Sequence, residues 1–160
     1  MPVGHQPTDD PERLPAEGGK GGKGAEGPRS AMRFDRAENI VFVWHPVPVR
    51  LDTREDIARY FEANRQFWRE HCGGKKAYFV IDFDGQSMNV EHQDFYADCI
   101  KAAVDECAVT VVRYGGEMLQ RLAARMAATR VHVPSNVYRS RDEAIAVVRD
   151  LRSGATKLPP

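Results

Sequence analysis

Seven residues, Ala77-Tyr78-Phe79-Val80-Ile81-Asp82-Phe83, stand between the basic pair Lys75-Lys76 and the turn pair Asp84-Gly85. A run this short, rich in β-branched and aromatic residues and without regular polar alternation, reads as a strand buried on both faces. Strands of that kind belong to parallel sheets that carry helices on both sides, so the flanking segments are expected to supply those helices.

They do so in both directions. Toward the N-terminus, Asp52-Thr53 with Asp56 three residues after Thr53 has the form of a capping box. Ile57, Phe61, Asn64, Phe67 or Trp68 and His71 follow at helical spacing, and Cys72-Gly73-Gly74 is the stop. Before that helix, Met32–Ala37 and Ile40–Val49 alternate as two strands about a Glu38-Asn39 turn, a hairpin. Pro46 and Pro48 lack backbone donors, so the later half of the second strand should lie at an edge or leave the sheet. That strand places Ile40, Phe42 and Trp44 on one face and Val41, Val43 and His45 on the other, so both faces need cover.

Toward the C-terminus, Asn89 caps a second helix that presents Phe95, Cys99 and Ala103 with Tyr96, Ile100 and Val104 beside them. Ala108–Tyr114 is a strand, Gly115-Gly116 a turn, and Met118, Leu119, Leu122, Ala123, Met126 and Ala127 mark a third helix. Val131-His132-Val133 is a short last strand ending at Pro134, and the capping box Ser140-Arg141-Asp142-Glu143 launches a helix through Ala144, Ile145, Val148 and Leu151. The expected fold is α/β: a mixed sheet of four to five strands with an N-terminal hairpin and about four helices.

The composition fits one folded unit. The chain has 160 residues, with 23 basic and 23 acidic side chains that cancel, and 42% hydrophobic residues. Without a basic excess there is no electrostatic footprint for a nucleic-acid backbone, and no apolar run approaches a membrane span. Cys72, Cys99 and Cys107 form no close pair and sit among apolar residues, as reduced thiols of a cytoplasmic protein do. Residues 1–30 hold seven glycines and five prolines with almost no large apolar side chain, so they read as a disordered arm. Within it, Gly19-Lys20-Gly21-Gly22-Lys23-Gly24 matches G-x-G-x-x-G but lacks the strand before it and the helix after it that bind a phosphate; it reads as a tether. The folded part then spans residues 31–152, and residues 153–160 form a flexible tail.

No catalytic constellation stands out. His92, Tyr96 and Cys99 share a helix side, and His71-Cys72 ends another, but neither has the close ligand pairs of a zinc site, so no metal or other cofactor is expected. A reactive cysteine needs a cation or a helix N-terminus, and Cys99 is mid-helix while Cys72 and Cys107 end helices. Asp82 and Asp84 stand where open α/β sheets place ligand sites, but with no second acid or base in sight they read as solvent-facing and helix-capping residues. Glu117 after Gly115-Gly116 would repel an anion there, which makes the glycines a tight strand-to-helix turn. Trp44, His45, Phe67 and Trp68 are mainly core, and any uncovered part of that aromatic set would mark an interaction site.

Three stretches together resemble the STAS domain of bacterial anti-sigma-factor antagonists: the hairpin and its exit through Val49-Arg50-Leu51-Asp52, the strand Tyr78–Phe83, and the close Val137-Tyr138-Arg139-Ser140-Arg141-Asp142-Glu143-Ala144-Ile145. The resemblance covers residues 31–152 and implies a non-catalytic regulatory protein-protein interaction module in the cytoplasm. Its implied partner is an anti-sigma-factor-like kinase or a signalling complex. The alternative on the same fold is a small-ligand or lipid carrier. The family's phosphorylated Ser or Thr would open the second helix, but Val90-Glu91-His92-Gln93 offers no hydroxyl, so the switch is degenerate; Glu91 would place a fixed negative charge in the first helical turn. Ser87 is the fallback phosphorylation site, and Asp84, Ser87, Asn89, Glu91 and His92 are the expected partner-binding residues.

Overall fold

The computed structural model describes residues 30–132 and 135–155. The glycine-rich arm before Ser30, with its G-x-G-x-x-G segment, lies outside the described residues, as do the last five residues of the tail. In chain order the elements are β1 (Ala31–Asp35), β2 (Ile40–Trp44), β3 (Val49–Leu51), α1 (Arg54–His71), β4 (Ala77–Asp82) and β5 (Gln86–Met88). A 3-10 turn (Val90–His92), α2 (Gln93–Glu106), β6 (Ala108–Tyr114), α3 (Met118–Arg130), β7 (Val137–Tyr138) and α4 (Arg141–Ser153) complete them.

The apolar run 77–83 supplies the middle strand. The main sheet runs β1-β2-β4-β6-β7, with β1 antiparallel to β2 and every other pair parallel. Asn39, at φ +56°, makes the β1–β2 turn, a conformation that asparagine tolerates better than most residues. Pro46 and Pro48 act as their missing donors dictate: β2 ends at Trp44, and Val49–Leu51 pairs instead with Gln86–Met88 in a separate two-stranded parallel sheet.

Both faces of the main sheet are covered, as its alternation demands. Val41, Val43, Phe79, Ile81 and Val111 pack with Trp68 of α1 and Ala124 of α3, and a neighbouring cluster joins Ile57, Tyr60 and Phe61 of α1 to Tyr96 and Ile100 of α2. On the opposite face Ile40, Phe42, Val80 and Val112 meet α4 alone among the described helices, through Ala144 and Val148, with Trp44, Tyr78, Tyr114 and Tyr138 half-buried around it. Two of the caps, those of α1 and α4, form where the sequence places them. Thr53 and Asp56 exchange both capping-box bonds, and Ser140 Oγ accepts from the Glu143 N–H at 3.2 Å.

Three expectations are corrected. Val131 and His132 are not a strand: Val131 ends α3 and His132 turns at φ +56°, while the rest of that segment, Val133 and Pro134, lies outside the described residues. The edge strand of that end is Val137–Tyr138. Ser87 lies on a strand rather than in a loop, because the chain leaving Gly85 finds the free edge of Val49–Leu51. Asn89 caps a single 3-10 turn and not α2, which starts at Gln93 with His92 before it and no side-chain cap.

Candidate functional site

The segment Asp84–His92 crosses the carboxyl ends of the parallel strands and is held from both sides. The Asp84 N–H donates to Asp82 Oδ1 at 2.8 Å, and Asp84 Oδ1 accepts the Gly116 N–H at 2.8 Å, so Asp84 ties the end of β4 to the turn that opens α3. Gly115 and Gly116 both sit at φ +71°, where a side chain is strained. The Gly116 amide is already used, which agrees with reading these glycines as a turn and not as an anion cradle. Gln120 of α3 donates through Nε2 to the carbonyls of Phe83 at 3.1 Å and Gln86 at 2.7 Å. Gln93 of α2 donates to the Ala123 carbonyl at 2.9 Å, and Asp94 pairs with Arg130. These bonds clip α3 to the segment 83–94.

Clipped this way, α3 turns its small residues inward. Ala124, Ala127 and Ala128 are buried, so α3 lies close to its neighbours. Its large apolar residues point outward: Met118 is 73% exposed, Leu119 71%, Leu122 52% and Met126 58%. Val90, on the 3-10 turn one helical turn before Gln93, is 70% exposed. Single exposed apolar residues are ordinary on a protein surface, but a stripe of four along one helix marks a contact surface. Between Met118 and Arg130 there is no acidic residue, while Arg121, Arg125 and Arg130 are basic.

The residues expected to bind a partner divide about this surface. Asp84, Ser87 and Glu91 are exposed, Asp84 being tied to the turn that opens α3, whereas Asn89 is used as a cap, its Oδ1 accepting the Glu91 N–H at 3.0 Å. His92 is half-buried between the 3-10 turn and α2. Glu91 precedes α2, so the acid in the first turn of that helix is Asp94 rather than Glu91. The α3 stripe was legible as helix periodicity, but its outward direction was not.

A second set of groups gathers beneath the same sheet edge. His45 follows β2, Tyr60 projects from α1, and the Tyr60 hydroxyl lies 3.5 Å from His45 Nε2 with the rings 5.9 Å apart. Burial lowers the His45 pKa, against the opposing pull of the Asp84 backbone and the Asp82 carboxylate. Asp82 is on the opposite sheet face beside Tyr114; burial raises its pKa and the Asp84 carboxylate adds to the rise, while the hydrogen bond from the Asp84 N–H and that with Tyr114 oppose it. Asp82 is therefore half-buried and not solvent-facing as its sequence position suggests. Burial also raises all three thiols, Cys107 to about 11, so none offers a thiolate near neutral pH. Among the described residues no three His, Cys, Asp or Glu side chains come together as a metal site, and no helix is long and apolar enough to cross a membrane.

The His45 environment has a measurable consequence. Its folded-state pKa lies below its ordinary value of 6.5, so folding favours the neutral ring. The stability this confers is full above that value and is lost as the pH falls from there through the folded-state pKa. Urea midpoints taken between about pH 7.5 and pH 5 should fall more steeply for the wild type than for His45→Gln. Equal slopes would mean that His45 titrates as it does in the unfolded chain.

No family model matches the chain, and no curated protein matches it.

Proposed function

We propose that this chain is a non-catalytic regulatory interaction module of the STAS type, which docks a partner protein on the outward face of α3 together with the adjoining segment Asp84–His92. The observation that carries this reading is the exposed stripe Met118, Leu119, Leu122 and Met126. Water-exposed apolar area of that kind gains free energy only when something covers it. The mixed α/β sheet with an opening hairpin agrees with the resemblance but is not specific to it.

Charge narrows the occupant. Two α3 helices brought face to face would juxtapose arginines, which costs free energy, whereas an apolar segment flanked by acids would meet Arg121 and Arg125 favourably. On the resemblance, that segment belongs to an anti-sigma-factor-like kinase or a signalling complex. Regulation by phosphorylation would fall to Ser87. Ser87 faces solvent and is paired in register with Arg50, which holds Asp52 at 3.0 Å, so a phosphate there would compete for Arg50 and reorganise the edge of the docking surface.

Native mass spectrometry of the protein purified gently from its own cells tests the proposal. A second polypeptide bound in a fixed ratio is the expected result. A spectrum that holds a lipid or nucleotide and no polypeptide would replace the module with a carrier.

A further inference from the structure

The exposed residues of α3 recur with a regular period. Leu119, Leu122, Met126 and Thr129 are all exposed and stand three, four and three residues apart, the alternation followed by the a and d positions of a heptad repeat. Met118 and Arg125, also exposed, flank this seam on one side at the g positions, and Ala123 and Arg130 flank it on the other at the e positions. The far side of the helix is the one the fold uses. Ala124, Ala127 and Ala128 are buried there, and Gln120 turns to the carbonyls of Phe83 and Gln86.

A seam of that period is the complement of a second helix, whose side chains enter the gaps between those of α3 as knobs enter holes. An extended chain presents a side chain to one face at every second residue and matches the seam poorly. From Leu119 to Thr129 the seam is about 15 Å long at a rise of about 1.5 Å per residue, so about three turns of a facing helix cover it.

The flanks set the sign of the charge. From Met118 to Arg130 there is no acidic residue. Arg130 is paired with Asp94, and Arg121 donates to the Gly116 carbonyl at 2.6 Å, so this chain already holds both. Arg125 is exposed, and none of the ion pairs among the described residues includes it. At a g position it stands within ion-pair reach of the flanking residues of a facing helix.

We infer that the partner meets α3 with one amphipathic helix of about three turns, packed as in a two-stranded coiled coil, with large aliphatic residues at its own a and d positions and glutamates flanking them. This rests on α3 being the docking surface and adds the form of what docks.

The probe is a synthetic peptide of about three heptads, with Leu at every a and d position and Glu at every e and g position, so that either direction of the helix brings an acid to Arg125. Its own glutamates repel one another across a self-pair, which keeps the free peptide largely unfolded. Titrated with the full chain, it should bind saturably and gain helix in circular dichroism. The same peptide with Lys at e and g should bind at least about fivefold more weakly, and Arg125→Glu should remove most of that preference, because an attractive contact is exchanged for a repulsive one. No binding, binding without a gain of helix, or equal binding of a peptide of the same composition in scrambled order would each overturn the helical occupant. So would a dimer of the full chain alone in light scattering that Leu122→Asp splits, since the seam would then belong to a second copy. The docking reading is decided separately: it survives a failed peptide if the captured partner protects α3 from hydrogen exchange, and it falls if the partner leaves α3 unprotected.

Discussion

Leu122→Asp is expected to lower the affinity for the docked partner by at least about 100-fold while leaving the fold almost untouched. A truncated or charged residue at the centre of a desolvated interface typically costs 2 kcal/mol or more, about a factor of 30, and a buried unpaired carboxylate adds to this. In the free protein Leu122 is 52% exposed. The change therefore costs the isolated domain only about 0.5 kcal/mol, chiefly from the poorer helix propensity of aspartate. Titration calorimetry with the partner, beside thermal melts of the two proteins, separates the effects. A variant that melts many degrees lower would show that this chain itself covers Leu122, and the surface would not be free for docking.

The second large effect concerns how that surface is held. At Gly116 a Cβ would lie 2.8 Å from Phe83 Cβ and 2.7 Å from Gln120 Oε1. The glutamine end can move, but the Phe83 Cβ is fixed: the residue is 3% exposed, and its N–H donates to the Tyr114 carbonyl at 2.9 Å. Gly116→Ala therefore combines a left-handed backbone penalty of about 1 kcal/mol with an overpacked contact costing about 2 kcal/mol. Chemical denaturation should show a loss of about 3 kcal/mol, and partner binding should weaken because the clash falls at the Gln120 clamp that orients α3. Gly154, also at positive φ but with nothing within 4 Å of its Cβ position, is the internal control. There the alanine should cost only the backbone part, about 1 kcal/mol. Similar losses at the two positions would mean that the Phe83 contact relaxes freely.

Much of the fold was legible because its signals are local. Thr53 and Asp56 announce α1, Pro46 and Pro48 announce the end of β2, and the run 77–83 announces a strand that must lie inside the sheet. The strand expected at Val131-His132 failed for a physical reason: β-branched residues near a proline look extended, but Val131 is still bonded into the end of α3, its N–H donating to the Thr129 carbonyl. β5 was missed because Gln86-Ser87-Met88 has weak strand propensity and pairs only because Val49–Leu51 is displaced beside it.

The site was less legible than the fold. Periodicity gives α3 an apolar side made of both alanines and large residues, and only the closeness of its neighbours decides that the alanines go inside. His45 follows β2 and Tyr60 projects from α1, and nothing in their sequence spacing brings them together. The exposed Asp84, Ser87 and Glu91 were legible as a surface, but the helix that completes it lies some thirty residues further on.

Hydrogen exchange of the protein with and without its captured partner tests the docking surface most directly. The account predicts slowed exchange in the backbone of α3 and of the segment Asp84–His92, with little change in α4 and β1. Protection centred on α4 and the half-buried aromatic residues around it, with α3 exchanging as in the free protein, would contradict it.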